Sequence, residues 1–244
     1  MSLLATFHTA ESAHAQCPPL TEWLHVPHSQ RGEHHGRIGD ALRAIAWELA
    51  GCSDAPLLIV AGGFHAGRHV CGNDLDATPG WWQAQAGLLG RYRVLAIDWL
   101  TDVADTAVQA DAIAAVCKAL ALPRAHAFVG ASYGALVGLQ FAVRHADKAE
   151  RIIAISGAHV LCPRQWGSAG IDIAGHALQP EHIRIPLSVI AVDGDALAPA
   201  QTLAELAVRA PDAWLQKITS QHGHAAYLKE TTAIAAALHT ALDY

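Results

Sequence analysis

Apolar positions fall in short runs punctuated by glycine, proline and polar clusters, and the runs carry two patterns. Glu22–Val26 and Leu42–Leu49 alternate. In the second run Leu42, Ala44 and Ala46 face one way and Arg43, Ile45 and Trp47 the other, which predicts two antiparallel edge strands; the second also fits a short helix. The later runs do not alternate. Leu57–Ala61, Tyr92–Asp98, the segment from Ala127 into Gly130, Arg151–Ser156, Pro186–Val192 and Trp214–Ile218 are mostly continuous aliphatic stretches, as expected for strands buried on both faces of a parallel sheet. Helical patterns separate them. One opens at Pro79-Gly80-Trp81-Trp82. A second is capped by Asp105 or Thr106 and runs to Leu120, with Ala110, Ile113, Ala114, Val116 and Cys117 on its apolar face. Others leave Gly134 towards Ala146, run from Pro199 to Arg209, and close the chain. Alternating strands and helices predict a mostly parallel, doubly wound α/β sheet in a single domain, 1–244. Residues 1–20 are expected to form a loose arm. The segment 157–185, broken by Gly167, Gly170, Gly175 and Pro180, is of the kind that often acts as a lid.

Candidate chemistry sits where one buried run meets a helix. Gly130-Ala131-Ser132-Tyr133-Gly134 has the pattern G-x-S-x-G between a strand and a helix, the nucleophile elbow of the α/β-hydrolase fold. A sharp strand-to-helix turn holds its central serine in a strained conformation. Residues two either side must then lack side chains, or strand and helix would collide. The hydroxyl is lifted above the sheet at a helix N-terminus, which favours negative charge.

A serine hydroxyl needs a base, normally a histidine held in one tautomer by a carboxylate, and in this fold the chain order is Ser, acid, His. Asp195 follows a late strand, in a loop from which it can reach across; Asp193 competes with it. His224, between Gly223 and the last helix, is the favoured base; His222 competes with it. The loop Phe64–Val70 lies at the carboxyl end of the first buried strand, where ligands bind in open parallel sheets. Main-chain N–H groups of Phe64 and Tyr133 are the expected oxyanion-hole donors, and Gly62 and Gly63 let backbone approach a substrate closely.

Composition narrows the class. Of 244 residues, 52% are hydrophobic and 16% charged, enough for a substantial core. A net charge of −6 and the lack of any Lys/Arg run argue against a nucleic-acid partner. No apolar run approaches the ~20 residues of a membrane span, and the N-terminus lacks a signal-peptide pattern. Five scattered cysteines, Cys17, Cys52, Cys71, Cys117 and Cys162, read as reduced thiols and suggest the cytoplasm. The 16 histidines lack metal-ligand spacing: His34 and His35 would point to opposite faces of a strand, and His69 with Cys71 has no second pair nearby, so no metal site is expected.

Several segments together resemble the homoserine O-acyltransferases, acetyl and succinyl, of the α/β-hydrolase superfamily. They are Gly62-Gly63 with Gly67–Val70, Pro79–Trp82, Tyr92–Trp99, Phe128–Gly134, Ile155–His159 and Gly223–Glu230. The likeness spans residues 22–244 and is greatest towards the succinyltransferase-like branch. It implies that Ser132, Asp195 and His224 form the triad, with acyl-CoA as co-substrate, no bound cofactor, and transfer to the hydroxyl of homoserine or serine. Arg68 is a candidate partner for a substrate carboxylate, with a surface or structural arginine as the equal alternative. Two departures stand out. The family's long helical insertion between the strands at Ile155 and Val189, which forms a lid and most of a dimer interface, is nearly gone here. The aspartate that follows the family's catalytic histidine, placed to meet the substrate ammonium, is Ala225. A transferase must keep water from its acyl-enzyme. The resemblance therefore leaves a hydrolase of small acyl esters or thioesters as an alternative, and a catalytically weak partner subunit as another. A monomer, or a dimer unlike the family's, is expected.

Overall fold

A computed structural model describes residues 28–103, 105–161, 166 and 176–243. Eight strands form one sheet: β1 (Gln30–Ile38), β2 (Ala41–Ala50), β3 (Leu57–Ala61), β4 (Arg93–Ile97), β5 (Ala127–Ala131), β6 (Ile152–Ile155), β7 (Leu187–Val192) and β8 (Ala213–Ile218), in the order β1-β2-β4-β3-β5-β6-β7-β8. β1 pairs with β2, and β2 with β4, antiparallel; the remaining pairs are parallel. The long helices are α1 (Thr106–Ala119), α2 (Tyr133–Arg144), α3 (Ala200–Arg209) and α4 (Thr231–Asp243). Asp105 caps α1, its side chain accepting the Ala107 N–H at 2.8 Å.

The unbroken aliphatic strands build two cores. Leu57, Ile59 and Ala61 of β3 join a cluster with Phe128, Leu136, Phe141 and Leu203 on the α1, α2 and α3 face. Leu58 and Val60 join Val129, Ile153, Leu238 and Leu242 on the α4 face. Alternate residues thus serve opposite layers, which is why β3, β5 and β6 show no polar positions. Because β3, β5, β7 and β8 are parallel, the loops after them open at one end of the sheet.

The Glu22–Val26 strand lies outside the described residues. The structure departs from expectation in three places. The outer partner of β2 is β1, whose sequence QRGEHHGRI contains one aliphatic residue, Ile38. An edge strand with exposed faces needs backbone pairing and little apolar surface. No long helix follows Pro79. Gly80 abuts the Val70–Cys71 backbone, where any Cβ would lie 2.3 Å from Val70, and only the single turns Gln83–Gln85 and Ala86–Leu89 form. Cys52, in the turn between β2 and β3, is disulfide-bonded. That corrects the reading of five reduced thiols and removes a premise for the cytoplasm; Cys71 and Cys117 are free and buried. Among the described residues no helix is long and apolar enough to cross a membrane.

Candidate active site

The strand-to-helix turn at Ser132 has the geometry its glycines predict. Ser132 sits at φ 57° and ψ −119°, a conformation that costs a non-glycine residue about 1–3 kcal/mol. It persists because its surroundings hold it. The Ser132 N–H donates to the Ile155 carbonyl at 2.8 Å, and the Gly134 N–H to that of Gly62 at 2.8 Å. A Cβ on Gly130 would lie 2.3 Å from the Gly134 oxygen, and one on Gly134 would lie 2.0 Å from the Ala61 oxygen. Only glycine fits at either position.

Three side chains from three loops meet above this turn. Ser132 Oγ lies 2.7 Å from His224 Nε2. His224 Nδ1 lies 3.0 and 2.9 Å from the two carboxylate oxygens of Asp195. The Asp195 side chain is buried. Its Oδ1 accepts the backbone N–H groups of Leu197 and Ala198 at 2.9 and 3.0 Å, so the carboxylate is fixed before the imidazole reaches it. With the carboxylate accepting at Nδ1–H, Nε2 is left as the acceptor for the serine proton. The competitors face elsewhere. Asp193 is exposed and 3.4 Å from Thr219 Oγ1, and His222 lies 4.0 Å from Glu230.

The proposed oxyanion donors border the same spot. The Gly63 carbonyl accepts from Trp99 Nε1 at 3.0 Å and from the Ala66 N–H at 2.8 Å. In a trans peptide the N–H points opposite to the C=O, so the Phe64 N–H is directed away from Trp99. Tyr133 follows Ser132 at the start of α2. Its buried ring stands edge-on to Phe64 and Trp99, with centroids 5.2 and 5.1 Å away, and burial pushes its hydroxyl well above the usual tyrosine range.

Of the two readings of Arg68, the structure shows the structural one. Its guanidinium pairs with Asp98 at 3.0 Å, and its N–H donates to the same carboxylate at 2.7 Å. It does not line the pocket over Ser132. That pocket is open, about 410 Å³, and its wall is mainly apolar, from Phe64, Trp81, Trp166, Leu197, Tyr227 and Leu228; none of its described lining residues is Lys or Arg.

Two site residues escaped the sequence pattern. Trp166, buried in the short segment between β6 and β7, stands edge-on to His224 at 5.7 Å and donates from Nε1 to the Leu197 carbonyl at 2.9 Å. Only tertiary contact places it there. Tyr227, three residues after His224, meets the imidazole edge-on at 6.1 Å and lines the pocket with Ser132. The i, i+3 spacing from His224 on a helical turn was the available signal.

No protein-family model matches the chain. A homoserine O-succinyltransferase from Xanthomonas campestris pv. campestris is 31% identical over 342 aligned positions, covering 99% of this chain and 91% of that protein. With 244 residues here, at least 98 of those positions (342 less 244) face a gap, as a lost insertion requires. An L-serine/homoserine O-acetyltransferase from Streptomyces lavendulae is 27% identical over 198 residues, 68% of this chain and 50% of that protein. The structure of a Staphylococcus aureus homoserine O-acetyltransferase superposes with a TM-score of 0.74 at 11% identity, covering 89% of this chain and 96% of that one. Identity approaching one third along nearly the whole sequence, on this sheet and around this elbow, leads to one conclusion: the chain belongs to the homoserine O-acyltransferase family of enzymes in the α/β-hydrolase superfamily.

Proposed function

We propose that this protein transfers an acyl group from an acyl-CoA to the hydroxyl of a small amino acid such as homoserine or serine, through an acyl-enzyme on Ser132. The observation that carries the reading is the continuous line of contacts from Ser132 Oγ to His224 to Asp195, at 2.7 and 2.9 Å. His224 takes the serine proton as Oγ attacks the thioester carbonyl and returns it to the leaving thiolate. It then takes the acceptor's hydroxyl proton in the second half-reaction. Asp195 keeps the imidazole oriented and stabilises its charge. The N–H groups of Phe64 and Tyr133 stabilise the oxyanion of each tetrahedral intermediate. The named relatives support homoserine as acceptor, and the Streptomyces relative's name adds serine. Acceptor charges lack obvious partners: Ala225 follows His224, and Arg68 is committed to Asp98.

A second reading, hydrolysis of small acyl thioesters or esters, is favoured by the open pocket over Ser132 and by the missing insertion, since both let water reach the acyl-enzyme. One assay separates them: thiol release from acetyl-CoA or succinyl-CoA, with and without homoserine. Acceptor-dependent release supports transfer, and acceptor-independent release supports hydrolysis. If there is no release, and a fluorophosphonate fails to label Ser132, the protein is a partner subunit and the proposal fails.

A further inference from the structure

Tyr227 is a polar side chain at the pocket that the mechanism above leaves unused. It lines the pocket together with Ser132. It also lies against Gly63: a Cβ built there would be 2.6 Å from Tyr227 Oη and 3.9 Å from Ser132 Cβ. The hydroxyl therefore occupies the nook between the serine and the Gly63–Phe64 peptide, where the carbonyl oxygen of a serine-bound acyl group must sit if the Phe64 N–H is to receive it. The residue is held from two sides. Its backbone carbonyl accepts from Trp82 Nε1 at 2.8 Å, and its ring packs against His224.

We propose that the Tyr227 hydroxyl is a third, side-chain donor of the oxyanion hole. This rests on the reading of Ser132 as nucleophile. In the resting site the O–H stands at the pocket wall beside Ser132. When Oγ bonds to the carbonyl carbon, the O–H turns to the oxygen that gains the negative charge. The proton stays on Tyr227 throughout. Burial raises the hydroxyl above the ordinary tyrosine value, so it remains a donor at neutral pH. A donor already in place gains strength as charge develops, which lowers the barrier without tightening substrate binding.

The test is pre-steady-state acylation of the full chain by p-nitrophenyl acetate, comparing wild type, Tyr227→Phe and Ser132→Ala. Tyr227→Phe is expected to slow acylation roughly a hundredfold with an unchanged half-saturating ester concentration. It should weaken binding of a trifluoromethyl ketone, whose hemiketal oxygen needs the same donor, by a similar factor. Replacing Tyr227 with 3,5-difluorotyrosine keeps shape and hydrogen bonding but ionises earlier, so acylation should fall off at a lower pH than in the natural chain. Acylation by Tyr227→Phe at the wild-type rate, even with a lowered melting temperature, would overturn the donor role. An undisplaced pH profile of the fluorinated chain would do the same. Full acylation of Ser132→Ala would instead sink the serine-nucleophile reading itself.

Discussion

Two buried carboxylates in this molecule each face an imidazole, and their surroundings are opposite. Asp195, 4% exposed, is met by two backbone N–H groups and by His224, whose far nitrogen ends on a serine hydroxyl. Glu48 on β2, 3% exposed, is met by the guanidinium of Arg31, by Asn73 at 2.8 Å and by His69 at 3.3 Å. The far nitrogen of His69 ends on the Thr78 carbonyl at 2.8 Å. A carbonyl only accepts, so it takes the His69 Nε2 proton, and Nδ1 is left enclosed between Glu48 and the Arg31 guanidinium at 3.1 Å. His224 has a hydroxyl to deprotonate and His69 has none. The acid–imidazole pair is common to both; what distinguishes a reactive site is the group beyond the imidazole and the open space around it.

The largest expected effect tests that distinction. Asp195→Asn should lower kcat about 10⁴-fold, because the amide favours the wrong imidazole tautomer, and Ser132→Ala should lower it at least as far. Thiol release under saturating substrate measures both. A loss below tenfold for Asp195→Asn would erase the contrast with Glu48. Next comes His176, a third imidazole with both nitrogens engaged, by Thr106 Oγ1 at 2.9 Å and the Ala158 carbonyl at 2.8 Å. Burial depresses it to about 4. Between pH 6.5 and 4 the unfolded chain takes up a proton there that the folded chain does not, so its contribution is complete above pH 6.5 and is lost as pH falls. The expected loss is about 3 kcal/mol by pH 4. Denaturant titrations across that range should show a slope that His176→Gln flattens. The smallest effect is Glu48→Gln: a loss of about 2 kcal/mol, or roughly 5 °C in Tm, with kcat unchanged. A large fall in kcat with no change in Tm would mean that the Glu48 cluster belongs to the chemistry after all.

What the sequence made legible follows the range of the interactions involved. Ser132, Asp195 and His224 could be read because each is marked by short-range rules: glycines where backbone crowds backbone, and loops directly after strands. The five strands β3 to β7 could be read for the same reason, since burial on both faces leaves a local trace. Arg68 stayed open between two readings because what decides its role is Asp98, 30 residues away. β1 left no apolar trace, its stability coming from backbone pairing with β2. Trp166 gave no local sign, as its whole role lies in contacts with Leu197 and His224.

Leu197 is gripped from both sides. Its N–H donates to Asp195 and its carbonyl receives the indole of Trp166. A substrate bulky enough to shove that indole aside strains the same peptide that steadies the acid. Size selection and catalytic alignment are thereby joined mechanically: an ill-fitting guest loosens the machinery meant to act on it.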